Sequence, residues 1–509
     1  MGIATRGPAQ VGGAVERGLL IGGEEVAARS GATIAVLNPA TGAHITTVAC
    51  AGSDDIDDAV AAAREAFLRG VWSERPIYER ARILHRFADA IEAHIEEFYL
   101  LETACNGRPI AETRAQITRL PEWYRYNASL LLADRTDVIP VPGPYHAYTT
   151  RFPIGVVGIL TSFNHPLMIG SKSLAPALAT GNSVVLKPSE QTPLTSLLMG
   201  DIAKEAGLPA GVLNVVPGLG PDAGRALSAH PHVGKVVFTG GTAAGKAVAR
   251  AAAEHFARAT VELGGKTPVL IFDDMPIADV AKGAAFGAFI GAGQTCICGS
   301  RIIVQRSIHD EFVAAFVAQA EQIRIGDPAL PETQLGPVIS HQARERILGD
   351  IQCGVDEGAV VATGGDVPVV AGCENGFFVR PTVLTGVDNA MRVAREEIFG
   401  PVAVVIPVDD EADAIAKAND SRFGLGATIW TRDVARAVRV AGRLRHGIVW
   451  VNDHHRLDPA VPWGGVGDSG MGREGGWESF HDFTHLRSVT IRTSPDSVDW
   501  YGGHTDRLN

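Results

Sequence analysis

At 509 residues the chain is longer than one hydrophobic core organises, so two or more domains are expected. Hydrophobic residues make up 46% and charged residues 20%, which excludes a mainly disordered chain. The net charge of -12 argues against nucleic acid or an anionic membrane as a partner, since both require a basic face.

The N-terminal stretch has no apolar run of export-signal length, and Arg6 stands where a myristoylation motif needs Ser or Thr. Residues 55–104 read as helix, with Asp and Ser ahead of Ala-rich periodic segments. Residues 131–152, with Pro140, Pro142 and Pro144, read as an extended connector. From 154 the pattern becomes short apolar runs alternating with helices. The runs are 154–160, 183–186, 212–216, 235–238 and 260–263, and the helices lie near 167–180, 194–206, 221–229 and 243–257. Such alternation predicts a parallel sheet covered on both faces, with ligands at the carboxyl ends of its strands. A second alternating region has runs at 269–272, 301–304, 377–384, 402–406, 427–430 and 447–451. Its helices fall near 277–291, 308–323, 340–357, 411–419 and 433–444. The least polar long stretch, 283–293, is too short to span a bilayer. Beyond Arg487, the segment Val489-Thr490-Ile491-Arg492 reads as a strand. It and the 131–152 connector could pair with the sheet edge of another subunit.

The six cysteines are sparse and mostly far apart, which suits reduced thiols of a cytoplasmic protein rather than a disulfide framework. Cys296 and Cys298 lack the two-residue gap of common zinc motifs, and no metal site is expected.

The segment from Val236 to Gly245 is a strand, the Gly240-Gly241 turn and a helix start. Its free N–H groups and partial positive charge suit a pyrophosphate. It is not the full dinucleotide fingerprint, and an ordinary helix-start turn is the alternative; Gly218-Leu219-Gly220 likewise reads as a loop. Lys187-Pro188-Ser189-Glu190 follows an apolar strand. Lys187 could hold ribose hydroxyls or phosphate, and a Glu190 carboxylate would accept from a ribose 2′-hydroxyl and repel a 2′-phosphate, favouring NAD over NADP. Helix-dipole placement of Glu190 is the alternative.

Cys296 lies in Gly291-Ala292-Gly293-Gln294-Thr295-Cys296, where glycines permit a sharp turn that exposes the sulfur; a buried core cysteine is the competing reading. Glu262 ends an apolar strand ahead of Gly264 and Gly265, a position that serves neither capping nor solvation. A carboxylate there, with its pKa raised by desolvation, can act as a general base.

Seven motifs carry a resemblance: Phe163-Asn164-His165-Pro166, Lys187-Pro188-Ser189-Glu190, Phe238-Thr239-Gly240, Glu262-Leu263-Gly264-Gly265-Lys266, Gly293-Gln294-Thr295-Cys296, Glu396-Glu397-Ile398-Phe399-Gly400-Pro401 and Pro462-Trp463-Gly464-Gly465. In order and spacing, from Asn38-Pro39-Ala40-Thr41-Gly42 to about residue 492, the chain resembles the NAD(P)-dependent, non-phosphorylating, hydrolytic aldehyde dehydrogenase superfamily. The resemblance implies an α/β fold. A Rossmann-like NAD-binding domain would comprise 1–130 and 153–263, a second α/β catalytic domain 264–472, and a small β oligomerisation element 131–152 with 473–509. It also implies a homodimer or homotetramer. Cys296 would be the nucleophile, with Asn164 and the Cys296 backbone N–H as oxyanion donors and Glu262 activating the hydrolytic water. Thr161, Ser162, Phe163, Lys187, Ser189, Glu190, Gly218, Phe238, Thr239, Gly240, Gly241, Gly245, Leu263, Glu397 and Phe399 would surround NAD.

Gly241 stands where the family commonly has serine, Gly291 where it has asparagine, and Ser173 and Gly467 where it has lysine. Ser173, with Lys172 beside it, puts a proton relay to Glu474 in doubt. The family alignment brings Glu122 to Tyr126 (with Trp123), Phe163, Leu167, Ile297, His454, His455, Leu457 and Trp463 to the substrate entrance. Their aromatics suit an aromatic aldehyde, and the His454-His455-Arg456 cluster suits a polar or anionic substituent. A coenzyme A-acylating relative, a thiol esterase on the same fold and a non-catalytic scaffold are the rival readings. Glu262 opposes the first, and the intact Cys296, Glu262 and Asn164 oppose the last.

Overall fold

The computed structural model describes residues 17–495 and 501–502; the expectations for residues 1–16, 496–500 and 503–509 lie outside the described residues. Two large sheets carry the fold. The first has five central parallel strands in the spatial order Leu213–Val215, Ser183–Lys187, Val156–Leu160, Val233–Thr239 and Arg258–Glu262. Every residue of Val156–Leu160 and Ser183–Lys187 is buried, which is why these strands read as continuous apolar runs rather than alternating ones. The chain starts at Val156–Leu160, moves outward on one side, then returns to Val233–Thr239 on the other. The order therefore reverses between these two strands, and sheets of this kind bind ligands beyond the carboxyl ends at such a point.

Antiparallel strands close both edges. The hairpin Leu19–Ile21 with Glu24–Val26 turns at Gly22 and Gly23, with φ of 62° and 86°, and pairs onto Val215. Gly470–Met471 pairs with Val261 and Glu262, so a late segment returns to the first sheet.

The second sheet runs Val360–Thr363, Thr382–Thr385, Val402–Val408, Arg301–Gln305, Pro268–Ile271, Gly426–Trp430 and Ile448–Val451, parallel except at the first pair. The expected strand over 377–384 is shorter: Pro381 lacks a ladder donor, and Phe377 N–H instead reaches the Pro39 carbonyl at 3.0 Å.

The connector and the C-terminal segment were expected to seek another subunit's edge. They pair with each other, Tyr145–Pro153 antiparallel to Thr484–Arg492, with Val138–Ile139 added outside. The sheet is anchored beside the first one by the buried Lys235, which pairs with Asp482 and donates to Thr260 Oγ1 at 2.7 Å. Among the described residues no helix is long and apolar enough to cross a membrane.

Candidate active site

The helix Ile277–Phe289 breaks into three consecutive left-handed residues, Gly291, Ala292 and Gly293, with φ of 59°, 53° and 68°. A left-handed alanine costs about 1–2 kcal/mol, so something must hold the turn. The Glu112 carboxylate accepts the Gly291 N–H at 3.1 and 3.2 Å, and Gln294 N–H donates to the Gly291 carbonyl at 3.0 Å. At Gly293 any Cβ would collide with the Gly400 carbonyl. The chain then enters a tight turn in which Cys298 N–H donates to the Thr295 carbonyl at 3.0 Å. Cys296 stays partly exposed there, while Cys298 is buried with its Sγ 3.2 Å from the Ala288 carbonyl. The two thiols of the pair thus part: one is partly exposed and the other is buried.

Asn164 lies between the strand Val156–Leu160 and the helix Pro166–Ala179. Its Nδ2 donates to the Gln294 carbonyl at 2.9 Å and its Oδ1 accepts from Ser162 Oγ at 2.7 Å, so the amide nitrogen faces the Cys296 loop. Glu262 is 4% exposed and neither of its oxygens has a hydrogen-bond partner among the described residues. Burial first, then the Glu474 charge, hold its carboxyl well above the usual range; Lys172 and Arg473 oppose the shift. Burial pushes the Cys296 thiol up to about 12. Lys172 pulls it down, and Glu262, Glu397 and Glu474 push it up. The resting sulfur is therefore protonated and needs a base to become a nucleophile.

Lys172, beside Ser173, places a cation on Glu474. Its ammonium pairs with Glu474 Oε2, Ser173 Oγ donates to Glu474 Oε1 at 3.0 Å, and the Lys172 Nζ sits 4.5 Å from the Trp463 ring centroid. A lysine one residue earlier on the helix reaches the same carboxylate. At Gly467 φ is 62° and a Cβ would stand 2.8 Å from the Arg422 carbonyl, so the turn excludes a lysine there.

Most of the expected cofactor residues lie at or just beyond the carboxyl ends of the first sheet's parallel strands, while Glu397 and Phe399 come from the later part of the chain. Gly241 precedes the helix Thr242–Ala253 and faces open space, Gly245 meets Leu263 where a Cβ would collide, and Gly240 N–H donates to the Glu262 carbonyl at 3.1 Å. At Gly218 a Cβ would stand 2.7 Å from the Ala51 carbonyl. Phe238 and Thr239 end the strand Val233–Thr239. The buried Thr161 hydroxyl has no partner among the described residues, and Ser162 is engaged with Asn164. Lys187 Nζ donates to the Pro188 carbonyl at 2.7 Å and lies 3.7 Å from Glu190; Ser189 Oγ accepts from Gln191 N–H at 3.3 Å. Glu397 accepts the Gly265 N–H at 3.1 Å, and burial raises its carboxyl to about 7. Phe399, at φ 51°, meets Phe163 edge to face at 5.8 Å. The open helix N-terminus, the orphaned Thr161 hydroxyl and the side-chain-free glycines fit a dinucleotide.

Around Cys296 the walls are apolar. Ile297, Leu425, Trp450 and Trp463 cluster with it, and Leu457 bridges to the core that holds Trp123 and Leu167. In the His454-His455-Arg456 cluster, burial acts on the two imidazoles. Burial lowers His454 to about 4 and holds His455 well below the usual imidazole range, so neither offers a cation to an anionic group at neutral pH. His454 also has both ring nitrogens engaged, with Thr428 Oγ1 at 2.6 Å and the Ile297 carbonyl at 2.9 Å. His455, at φ 64°, keeps a buried Nε2 without a partner among the described residues. Among those residues no group of three or more His, Cys, Asp or Glu could hold a metal. Glu112 and Arg108, which brace the nucleophile loop, carried no signal in the sequence.

Residues 26–489 match the family described as Aldehyde dehydrogenase family. The chain is 43% identical over 479 residues to 2-hydroxymuconic semialdehyde dehydrogenase of Pseudomonas sp. (strain CF600), covering 93% of this chain and 98% of that protein. It is 40% identical to phenylacetaldehyde dehydrogenase of Pseudomonas fluorescens, covering 93% and 95%. Its fold is similar to the crystal structure of betaine aldehyde dehydrogenase from Staphylococcus aureus in complex with NAD+. That match has a TM-score of 0.93 and 37% identity, and covers 95% of this chain and 96% of that one.

Proposed function

The chain belongs to the aldehyde dehydrogenase family and is an NAD-dependent oxidoreductase acting on an aldehyde; we propose that Cys296, Asn164 and Glu262 carry its chemistry. Cys296 sulfur adds to the aldehyde carbon as its proton passes to a base, giving a tetrahedral oxyanion. Asn164 Nδ2 and the Cys296 backbone N–H stabilise that oxygen, a role worth about 3–4 kcal/mol per donor in other enzymes. NAD supplies the hydride acceptor. The hydride leaves carbon with the C–H electron pair, and the remaining acyl group is a thioester on Cys296. Glu262 then takes a proton from water, the hydroxide attacks the thioester carbonyl, and the carboxylic acid departs as the sulfur regains a proton. One observation carries this reading: a buried, unpartnered Glu262 whose charge acts on the Cys296 thiol, beside an Asn164 amide already turned toward the loop.

The cofactor's contacts are assigned to Thr161–Phe163, Lys187, Ser189, Glu190, Gly218, Phe238–Gly241, Gly245, Leu263, Glu397 and Phe399. Residues 1–130 and 153–263 serve the cofactor and 264–472 the nucleophile. The segments 131–152 and 473–509 join copies into a homodimer or homotetramer, a reading supported by exposed Val138, Ile139, Phe152, Leu486 and Ile491. Sparse free thiols favour the cytoplasm.

The substrate is an aldehyde with an aromatic or extended apolar body or a polar substituent. The walls of Trp123, Leu167, Ile297, Leu457 and Trp463 support the first part, and the orphaned His455 Nε2 supports the second. The relatives named for 2-hydroxymuconic semialdehyde and phenylacetaldehyde are consistent with it. A panel of benzaldehydes, semialdehydes and aliphatic aldehydes assayed with NAD tests this. Hydroxylated aromatic and semialdehyde substrates should give the highest kcat/KM, and a preference for short alkyl aldehydes would reject it.

A further inference from the structure

We propose that His454 is a positioning residue: its ring, fixed between Thr428 and the carbonyl of Ile297, holds the turn that presents Cys296. The inference rests on Cys296 being the nucleophile.

A carbonyl only accepts, so the 2.9 Å contact makes His454 Nε2 the protonated nitrogen. Nδ1 is then a bare acceptor, and Thr428 Oγ1 donates to it at 2.6 Å. The two contacts together fix one tautomer and one ring orientation. Thr428 is fully buried on the strand Gly426–Trp430, so the ring hangs from the second sheet. The fold makes room for it. A Cβ at Gly287 would stand 3.1 Å from the ring, and one at Gly299 would stand 3.3 Å from Cε1. Trp450 and His455 flank the ring at centroid distances of 5.1 and 4.6 Å.

The turn has need of such a tether. It spans only Thr295–Cys298, and its next anchors are at its end, where Cys298 Sγ contacts the Ala288 carbonyl and Gly299 N–H donates to the Gly287 carbonyl at 2.9 Å. Ile297 follows the nucleophile directly. If its carbonyl swings free, the Cys296 sulfur and backbone N–H move together, and an ångström of misplacement costs on the order of 10²-fold in rate.

The test compares His454→Phe, His454→Gln and Thr428→Val in the full-length enzyme. The readouts are NAD affinity, the pre-steady-state NADH burst and the rate of Cys296 alkylation by iodoacetamide, mapped by mass spectrometry. The Phe variant should keep NAD affinity while burst and alkylation rates fall about tenfold or more. Gln can donate to Ile297 and accept from Thr428, and should recover most of the loss; Val should fall between. A Phe variant as fast as wild type, a Gln variant no better than Phe, or an unaffected Thr428→Val would overturn the inference. Turnover surviving in Cys296→Ala would instead sink the reading of the nucleophile.

Discussion

Lys172 and Glu474 form a buried ion pair against the Trp463 ring, with the Ser173 hydroxyl on the same carboxylate. Lys172 is also the one cation among the named influences on the Cys296 thiol, and it acts to lower it. Removing it leaves Glu474 a buried carboxylate without its cation, which costs about 3–5 kcal/mol in comparable pairs.

Lys172→Met should therefore lose thermal stability and also shift thiol reactivity. Alkylation of Cys296 in the free enzyme needs the thiolate, so its rate should climb with pH toward about 12. In the variant the thiol lies higher still, and the rate at any given alkaline pH should be lower. An unchanged alkylation profile would separate Lys172 from the nucleophile.

Glu262 yields a pH prediction of definite sign. Its carboxyl is held well above the usual range, so the base form grows as pH rises above the range of an ordinary carboxylate. Under conditions where thioester hydrolysis limits turnover, kcat should increase with pH. Glu262→Gln should remove that rise and lower kcat by about 10²–10⁴-fold.

Cofactor choice is predicted to turn on Glu190, which lies 3.7 Å from Lys187. Glu190→Ala should raise kcat/KM for NADP relative to NAD by tenfold or more, since a 2′-phosphate no longer meets a carboxylate. Steady-state kinetics with both cofactors read it directly. An unaltered ratio would place the discrimination elsewhere.

Glu112 is predicted to act on the nucleophile loop from a distance. Glu112→Ala leaves the Gly291 N–H without an acceptor and removes one of the two carboxylates paired with the buried Arg108, which keeps Glu102. The expected cost is about 1–3 kcal/mol in stability, with activity falling while NAD affinity is retained. Calorimetry and NAD titration distinguish this from loss of the cofactor site.

The two sheets were legible because strands buried on both faces write themselves as unbroken apolar runs, as Val156–Leu160 and Ser183–Lys187 do. Edge strands did not announce themselves. Val360–Thr363 is mostly exposed, and the Gly22-Gly23 hairpin joins strands of three residues each. The helices Ile110–Ile117 and Leu120–Ala133 were likewise unread, although they carry Glu112 and Trp123. Motif spacing brought out Cys296, Glu262 and Asn164 because each ends a strand or opens a turn. Contacts across distant segments stayed hidden: Lys172 with Glu474 is a pairing over hundreds of residues, and only the packed helix Pro166–Ala179 reveals which of two neighbours faces the carboxylate. The burial of the adjacent His454 and His455, which lowers both imidazoles, was equally hidden in the sequence.

The most direct measurement is intact and peptide mass spectrometry of Glu262→Gln quenched during turnover of a good aldehyde with NAD. An acyl group is expected on the peptide bearing Cys296, at Cys296 and not Cys298, and should disappear when Cys296→Ala is added although NAD still binds. An adduct on Cys298, or near wild-type NADH formation by Cys296→Ala, would contradict the assignment of Cys296 as the nucleophile.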